Sequence, residues 1–255
     1  MDDVLFELKD GVATVTLNRP DARNAVNPSL AAQFEAAIDR IESDSAIRCA
    51  VLTGAGPVFC AGMDLKAFLD GQADGIMGGR NGFAGFVKRR RTKPIIAAVE
   101  GAALAGGFEI MLSCEMAVAG RSAVFGLPEP KIGLVAAAGG AMRISRRIPR
   151  VLANELVLTA DPIPAARAME HGLINQVCDD GEALETAREI ARKIAVLAPG
   201  SITLSMQLLQ TAHEAGEGEG WIANDRTMID VVASADAREG VSAFLEKRAP
   251  RWSDG

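Results

Sequence analysis

Short apolar runs open this chain, and long helical periodicities close it. Val4–Leu8 and Val12–Leu17 are rich in β-formers with the turn signal Asp10-Gly11 between them, which predicts a hairpin. Asn27-Pro28-Ser29 predicts a helix start, with Asn as cap and Pro at the first helical position. Leu30, Phe34, Ile38 and Ile41 continue that helix at the right spacing. Cys49–Thr53 predicts a strand closed by Gly54-Ala55-Gly56-Pro57, and Ile95–Val99 a second one running into Gly101–Gly107. Ala117–Ala119, Ala123–Phe125 and Ile174–Cys178 are further short strands, the last after a helix stop at His171-Gly172. From Asp180 onward, Glu182–Leu197, Ile202–Ala215, Trp221–Ala233 and Ala237–Arg248 predict helices. Pro199-Gly200, a Gly/Glu stretch at 216–220 and Ser234 separate them. There is no fixed-period repeat and no low-complexity linker. The expected organisation is a mixed α/β (α+β) core over residues 1–197 and a helical C-terminal region over 198–255.

Composition narrows the function. The chain has 255 residues, 49% of them hydrophobic, which supports a sizeable core. Lys and Arg total 27 against 33 Asp and Glu, a net charge of −6, which argues against a nucleic-acid binder. Tyr is absent and aromatics are 4%, which argues against base-stacking platforms as well. Four cysteines, at 49, 60, 114 and 178, and two histidines, at 171 and 213, lack metal-site spacing, so no metal is expected. Few thiols and the acidic start Met1-Asp2-Asp3 lead to an expectation of reduced cysteines, no signal peptide and a cytoplasmic location. The apolar stretch Ile95–Gly120 contains Glu100, Glu109 and Glu115 and is too polar for a membrane span. No G-x-S-x-G elbow, P-loop or G-x-G-x-x-G occurs. The basic run Lys88–Lys93 reads as the solvated end of a helix ahead of a buried strand, with a phosphate or RNA contact as the alternative.

Three segments carry candidate chemistry. In Gly54–Lys66 a strand ends, a Gly/Pro loop turns, and Ala61-Gly62 gives the backbone room before a helix starts near Asp64. In Gly101–Glu109, Gly106-Gly107 opens an apolar helix after a strand. Free N–H groups at such starts bind negative oxygen, and two starts that converge make an oxyanion hole from backbone alone. The third signal is a pair of carboxylates in apolar company, Glu109 after Gly-Gly-Phe and Glu129 in Leu127-Pro-Glu-Pro130. Apolar surroundings raise a carboxyl pKa towards that of a general acid or base, and a pair can divide the two roles. Ordinary helix starts and ion-paired glutamates remain the alternative reading of each segment.

Together the ordered segments identify a resemblance to the crotonase superfamily, the enoyl-CoA hydratase/isomerase group. They are Leu17-Asn-Arg-Pro-Asp-Ala-Arg-Asn-Ala-Val26, Phe59-Cys-Ala-Gly-Met-Asp-Leu65, Ile96–Glu109, Phe125-Gly-Leu-Pro-Glu129 and Glu239–Arg248. The resemblance implies a crotonase-like spiral of repeated ββα units, a C-terminal helical trimerisation region, and a homotrimer or dimer of trimers.

It also implies residue roles. The N–H groups of Met63 and Gly106 would hold the thioester carbonyl of an acyl-CoA. Glu109 and Glu129 match the two hydratase glutamates. Ala22, Arg23 and Asn24, with Ala61, Gly62, Asp64, Leu65 and Lys66, match the segment that holds the CoA adenine and phosphates, Lys66 being the phosphate contact. Leu104, Gly107, Pro128 and Leu134 complete the expected substrate contacts, and Phe244 and Lys247 match residues that reach CoA across the subunit interface. The implied reaction is hydration of a trans-2-enoyl-CoA, with no cofactor beyond the CoA of the substrate. Isomerisation, dehydration of a specialised acyl-CoA, or a non-catalytic CoA- or RNA-binding scaffold are the alternatives. The chain departs from the family pattern at Ala105, at Phe108 and in the run Val135–Gly140, and its 68–85 segment lies where the family varies most.

Overall fold

The structure, a computed structural model, describes residues 2–253. The predicted hairpin is β1 (Val4–Lys9) and β2 (Val12–Leu17), followed by α1 (Pro28–Ser43). β3 (Cys49–Gly54) leads to two short helices, α2 (Leu65–Leu69) and α3 (Asp74–Met77). Next come β4 (Ile95–Val99), β5 (Ala102–Leu104) and α4 (Gly106–Leu112), then β6 (Met116–Gly120), β7 (Val124–Gly126) and α5 (Gly140–Arg147). α6 (Arg150–Thr159), β8 (Ile163–Pro164), α7 (Ala165–Glu170) and β9 (Gln176–Cys178) complete the mixed part. Helices α8 (Ala183–Ala195), α9 (Pro199–Ala215), α10 (Glu217–Ala233) and α11 (Ala235–Glu246) close the chain.

β1, β2, β3, β4, β6 and β9 form one sheet in that order, antiparallel only at the hairpin, and β5, β7 and β8 form a second, smaller sheet. Period-two alternation gives the large sheet two apolar faces. Val15, Leu17, Leu52, Ile95, Ala97 and Val99 face one core with Leu30, Phe34, Ile38 and Ile41 of α1. Val12, Val51, Ile96, Ala98 and Val118 face the other, beneath Ala183, Ala187 and Ala191 of α8. That alanine stripe, one residue per helical turn, lets α8 lie close on the sheet. Asn27 caps α1 as the sequence predicts, its Oδ1 accepting from the Leu30 N–H at 2.8 Å.

The two sheets are linked by a motif repeated without any sequence repeat: a strand of the large sheet, a crossing segment in the small layer, then a helix. β4–β5–α4 and β6–β7–α5 are complete copies. β3 has a shorter one, in which Cys60 bridges Ala103 before α2, and β2 has the shortest, in which Val26 bridges Met63 before α1. Gly101 makes the corner between β4 and β5. Its φ is +59°, and a Cβ there would lie 2.0 Å from the Pro57 carbonyl oxygen, so no other residue fits.

Several expectations need correction. The basic run is no helix end. Arg89 pairs with Asp39, Arg91 with Glu115 and the Ser113 carbonyl, and Lys93 donates to the Ile41 and Asp44 carbonyls at 2.7 Å. The run clamps α1 and the end of α4 to the start of β4. The Gly/Glu stretch is mostly helix. Only Gly216, at φ +86°, breaks it, and Glu217 and Glu219 then favour the positive end of α10. α5 and α6 escape the sequence pattern because α5 buries only Gly140 and Ile144 and is otherwise largely basic. α9 and α10 bury no residue within the chain, and Leu209, Ile229, Phe244 and Leu245 stand exposed. No single helix among the described residues is long and apolar enough to cross a membrane.

Candidate active site

Successive turns of the spiral deliver their helix starts to one place. Cys60 pairs with β5 through Cys60 N–H to Ala102 O at 3.1 Å and Leu104 N–H to Cys60 O at 3.0 Å. This lays segment 60–63 against the start of α4. Gly62 and Gly107 permit the approach. A Cβ on Gly62 would lie 2.8 Å from the Ala105 Cβ and 2.9 Å from the Gly106 nitrogen, and one on Gly107 would lie 2.2 Å from the Cys60 carbonyl oxygen. Ala105 holds φ +49° and ψ −129°, a strained conformation for a residue with a Cβ, at the point where the chain enters α4 at Gly106. α4 has no side-chain cap, so the Gly106 N–H has no acceptor among the described residues. On the neighbouring turn, Val26 N–H donates to Gly62 O and Asp64 N–H to Val26 O, which leaves the Met63 N–H also unpaired. Two adjacent free N–H groups at helix starts can hold a developing negative oxygen.

The two carboxylates come from consecutive turns of the spiral, Glu109 from the first turn of α4 and Glu129 from the short 3-10 turn that follows β7. They are 3% and 7% exposed, and among the described residues neither has a cationic partner in hydrogen-bond contact. Burial pushes the Glu109 carboxyl up to about 7; the Gly140 N–H opposes this and the nearby Glu129 charge adds to it. Gly140 donates to Glu109 Oε1 at 2.8 Å. Burial likewise raises Glu129, whose Oε2 is buried with no hydrogen-bond partner. Two buried carboxyls with raised pKa, one of them with an unsatisfied oxygen, are equipped to exchange protons with a bound molecule.

The other predicted residues divide. Ala22, Ala61, Met63, Leu104, Pro128 and Leu134 are partly exposed, and Arg23, Leu65 and Lys66 are exposed, so all have surface to offer a ligand. Asn24 does not: it is fully buried, its amide donates to the Ala55 and Val58 carbonyls, and its Oδ1 accepts from the Arg19 N–H at 2.9 Å. Asp64, partly exposed, is the cap of α2 and the ion-pair partner of Arg19, so its side chain is engaged within the chain. Phe244, 83% exposed, and Lys247 point from the end of α11 into solvent, not into a pocket of their own chain. Gly140 and Arg19 were missed by the sequence reading. The small-residue run before Gly140 was its only trace there, because a glycine hydrogen bond to a distant side chain leaves no local pattern.

Cavity size does not find this site. Clefts of about 490 and 550 Å³ lie over the basic run and between α5 and α9, and neither contains Glu109 or Glu129. The chemistry of the carboxylate pair outweighs volume here, since the arginines lining those clefts mostly hold backbone carbonyls or carboxylates.

Comparison with known proteins gives the same answer as the geometry. The family described as enoyl-CoA hydratase/isomerase matches residues 7–255. Enoyl-CoA hydratase EchA19 of Mycobacterium tuberculosis is 43% identical, over 99% of this chain and 97% of its own length. Mevalonyl-coenzyme A hydratase sidH of Aspergillus fumigatus is 37% identical, over 94% and 91%. A crystal structure of an enoyl-CoA hydratase from Mycobacterium tuberculosis H37Rv superposes with a TM-score of 0.95 at 41% identity, covering 100% of both chains. With its crotonase fold and these full-length matches, the chain belongs to the enoyl-CoA hydratase/isomerase family.

Proposed function

We propose that this enzyme is an enoyl-CoA hydratase, adding water across the C2=C3 bond of a trans-2-enoyl-CoA. The observation that carries the reading is the pair of buried carboxyls, Glu109 and Glu129, one with an oxygen lacking any partner. The thioester carbonyl sits between the N–H groups of Met63 and Gly106, which draw electron density from the double bond and stabilise the enolate as it forms. One water lies between the carboxyls. Both carboxyls resist ionising, and in the protonation state that hydrates, the Gly140 N–H supports charge on Glu109 while Glu129, with no donor at Oε2, carries the proton, so Glu109 is the base and Glu129 the acid. Glu109 takes a proton from the water as its oxygen attacks C3, and Glu129 gives a proton to C2. Run backwards, the same steps dehydrate a 3-hydroxyacyl-CoA. CoA enters as part of the substrate, with Lys66 and Arg23, both exposed, at its phosphates. The apolar residues left uncovered on α9 to α11 support assembly into a homotrimer or dimer of trimers, in which Phe244 and Lys247 reach a neighbour's ligand. The test is direct: crotonoyl-CoA should lose its conjugated enoyl-thioester absorbance on addition of enzyme. A preparation that is folded and oligomeric yet leaves that absorbance unchanged over a panel of enoyl chain lengths refutes the assignment.

A further inference from the structure

Arg19 connects three of the pieces that brace the site, its own turn, residues 24–26 and residues 62–64. It stands in the turn after β2, where its backbone N–H donates to Asn24 Oδ1 at 2.9 Å and its carbonyl accepts from the Asn24 N–H at 2.8 Å. Its Nη1 donates to the Ala25 carbonyl and, at 3.1 Å, to Asp64 Oδ2. The other Asp64 oxygen, Oδ1, accepts from the Lys66 and Ala67 N–H groups at 3.1 and 3.3 Å and so caps α2. The Asp64 N–H in turn donates to Val26 O at 2.9 Å, and Val26 N–H to Gly62 O at 2.7 Å. Residues 62 and 64 are therefore both tied to the 24–26 segment through Val26, and Met63 between them keeps its N–H free.

We infer that Arg19, through its ion pair with Asp64, is a positioning residue that aims the Met63 N–H at the substrate carbonyl. The inference rests on the hydratase reading above and assigns Arg19 a part in its transition state that the carboxylates do not supply. The geometry explains why an arginine is used. One planar guanidinium nitrogen must satisfy a backbone carbonyl on the 24–26 side and a carboxylate on the 62–64 side at once, which a fork of fixed donors does better than a flexible ammonium. The pair is mostly sheltered, at 20% and 17% side-chain exposure, so solvent screens it little. Burial works against ionisation of Asp64, but the Arg19 hydrogen bond and the α2 N–H groups prevail and hold its carboxyl below the ordinary value. The strut is thus charged across the working pH range. Its neutral or shortened versions leave the chain connected but free to move by a fraction of an ångström, and a misplacement of about 1 Å in a preorganised site costs on the order of 100-fold in rate.

The test compares wild type with Arg19→Gln, Arg19→Lys and Asp64→Asn. Steady-state hydration of crotonoyl-CoA gives kcat and KM. Difference infrared spectroscopy of bound butyryl-CoA, labelled with carbon-13 at the thioester carbon, reports how strongly the carbonyl is polarised. Wild type should lower the carbonyl stretch relative to free ester. Arg19→Gln should lose much of that shift and roughly 10- to 100-fold in kcat, with KM within about threefold of wild type. Arg19→Lys should recover part of both. If Arg19→Gln does not fold, Asp64→Asn carries the same test from the other end, because Asn keeps the Oδ1 cap while its NH2 replaces the Oδ2 that accepts from Arg19, so both the charge and that hydrogen bond are lost. A variant with wild-type shift and kcat overturns the inference, as does one whose KM rises while the shift is kept, which would make Arg19 a ligand contact. Absence of a shift in active wild type would instead remove the backbone oxyanion hole itself, and the inference with it.

Discussion

Glu109→Gln should make this protein more stable, and the gain should grow with pH. An ordinary glutamate ionises near 4.5, whereas burial holds Glu109 up to about 7. Below pH 4.5 the group is neutral in folded and unfolded chains alike, and it adds no pH-dependent difference. Between 4.5 and 7 the unfolded chain ionises freely while the folded chain resists, so folding loses stability as pH rises. At 1.36 kcal/mol per pH unit the loss levels off above pH 7 at about 3 kcal/mol. Glutamine has the same shape, can still accept from the Gly140 N–H through Oε1, and never ionises. The stability of Glu109→Gln minus that of wild type should therefore climb from near zero at pH 4.5 to about 3 kcal/mol at pH 8.

The assay is guanidinium unfolding at pH 5, 6, 7 and 8, with ionic strength and protein concentration fixed because association of subunits shifts apparent stability. Part of the climb comes from the repulsion of Glu129, which raises Glu109 further, so the slope should shrink when the comparison is repeated in a Glu129→Gln background. A difference that stays flat from pH 5 to 8, or a variant less stable than wild type at pH 8, refutes the claim that Glu109 is a buried carboxyl held against its preference for charge.

Other outcomes follow from the same geometry. Glu109→Gln and Glu129→Gln should each lower kcat for hydration by ~10²-fold or more, and the double variant should lose far less than the product, as kinetics on crotonoyl-CoA will determine. Normal hydration by Glu109→Gln beside a dead Glu129→Gln would mean that one carboxyl suffices, the pattern of an isomerase. Gly140→Ala would set a Cβ 2.9 Å from both Cγ and Oε1 of Glu109 and 3.0 Å from Leu127 Cδ2. It should destabilise by about 1–3 kcal/mol in denaturant melts and also depress kcat, because it displaces the base. Ala105→Gly should raise stability by about 1 kcal/mol: relief of positive-φ strain, about 1–3 kcal/mol, exceeds the added freedom of the unfolded glycine, about 0.5–1 kcal/mol, and an unchanged or lowered melting temperature would contradict the strain.

The legible parts of this fold are those that local pattern governs. The hairpin was readable because Asp10-Gly11 sits between two β-rich runs, and α1 because Asn27-Pro28 and an apolar stripe agree. The two helix starts were readable from glycines, since only a glycine tolerates the approaches at Gly62 and Gly107. What stayed hidden depends on distant partners. Arg89, Arg91 and Lys93 read as solvated because their acceptors, Asp39, Ser113, Ile41 and Asp44, come from other elements. Asn24 and Asp64 read as ligand contacts because their motif points at the substrate, although their side chains are committed to the chain itself. The repeated strand–crossing–helix unit left no repeat in sequence because its crossing segment shrinks from three residues in β5 to the single bridge at Val26.

That shrinking unit also explains why the site sits where it does. Each turn of the spiral must leave the small layer and start a helix, and each exit exposes backbone N–H groups that the helix itself cannot satisfy. Side chains cap three of the helix starts, Asn27 at α1, Asp64 at α2 and Ser234 at α11, whereas α4, like α5 to α10, has no side-chain cap. What sets α4 apart is that Ala105 at its start is strained and that Glu109 and Glu129 are buried with no ion pair among the described residues, Arg143 reaching Glu109 only through space. Each of these features lowers stability, and each is cheap to remove by substitution. Their convergence on one point, inside a cross-braced pair of sheets that holds them there, is what a surface for stabilising negative charge and moving protons requires. A chain selected for folding alone would relax the backbone at Ala105 and pair its glutamates.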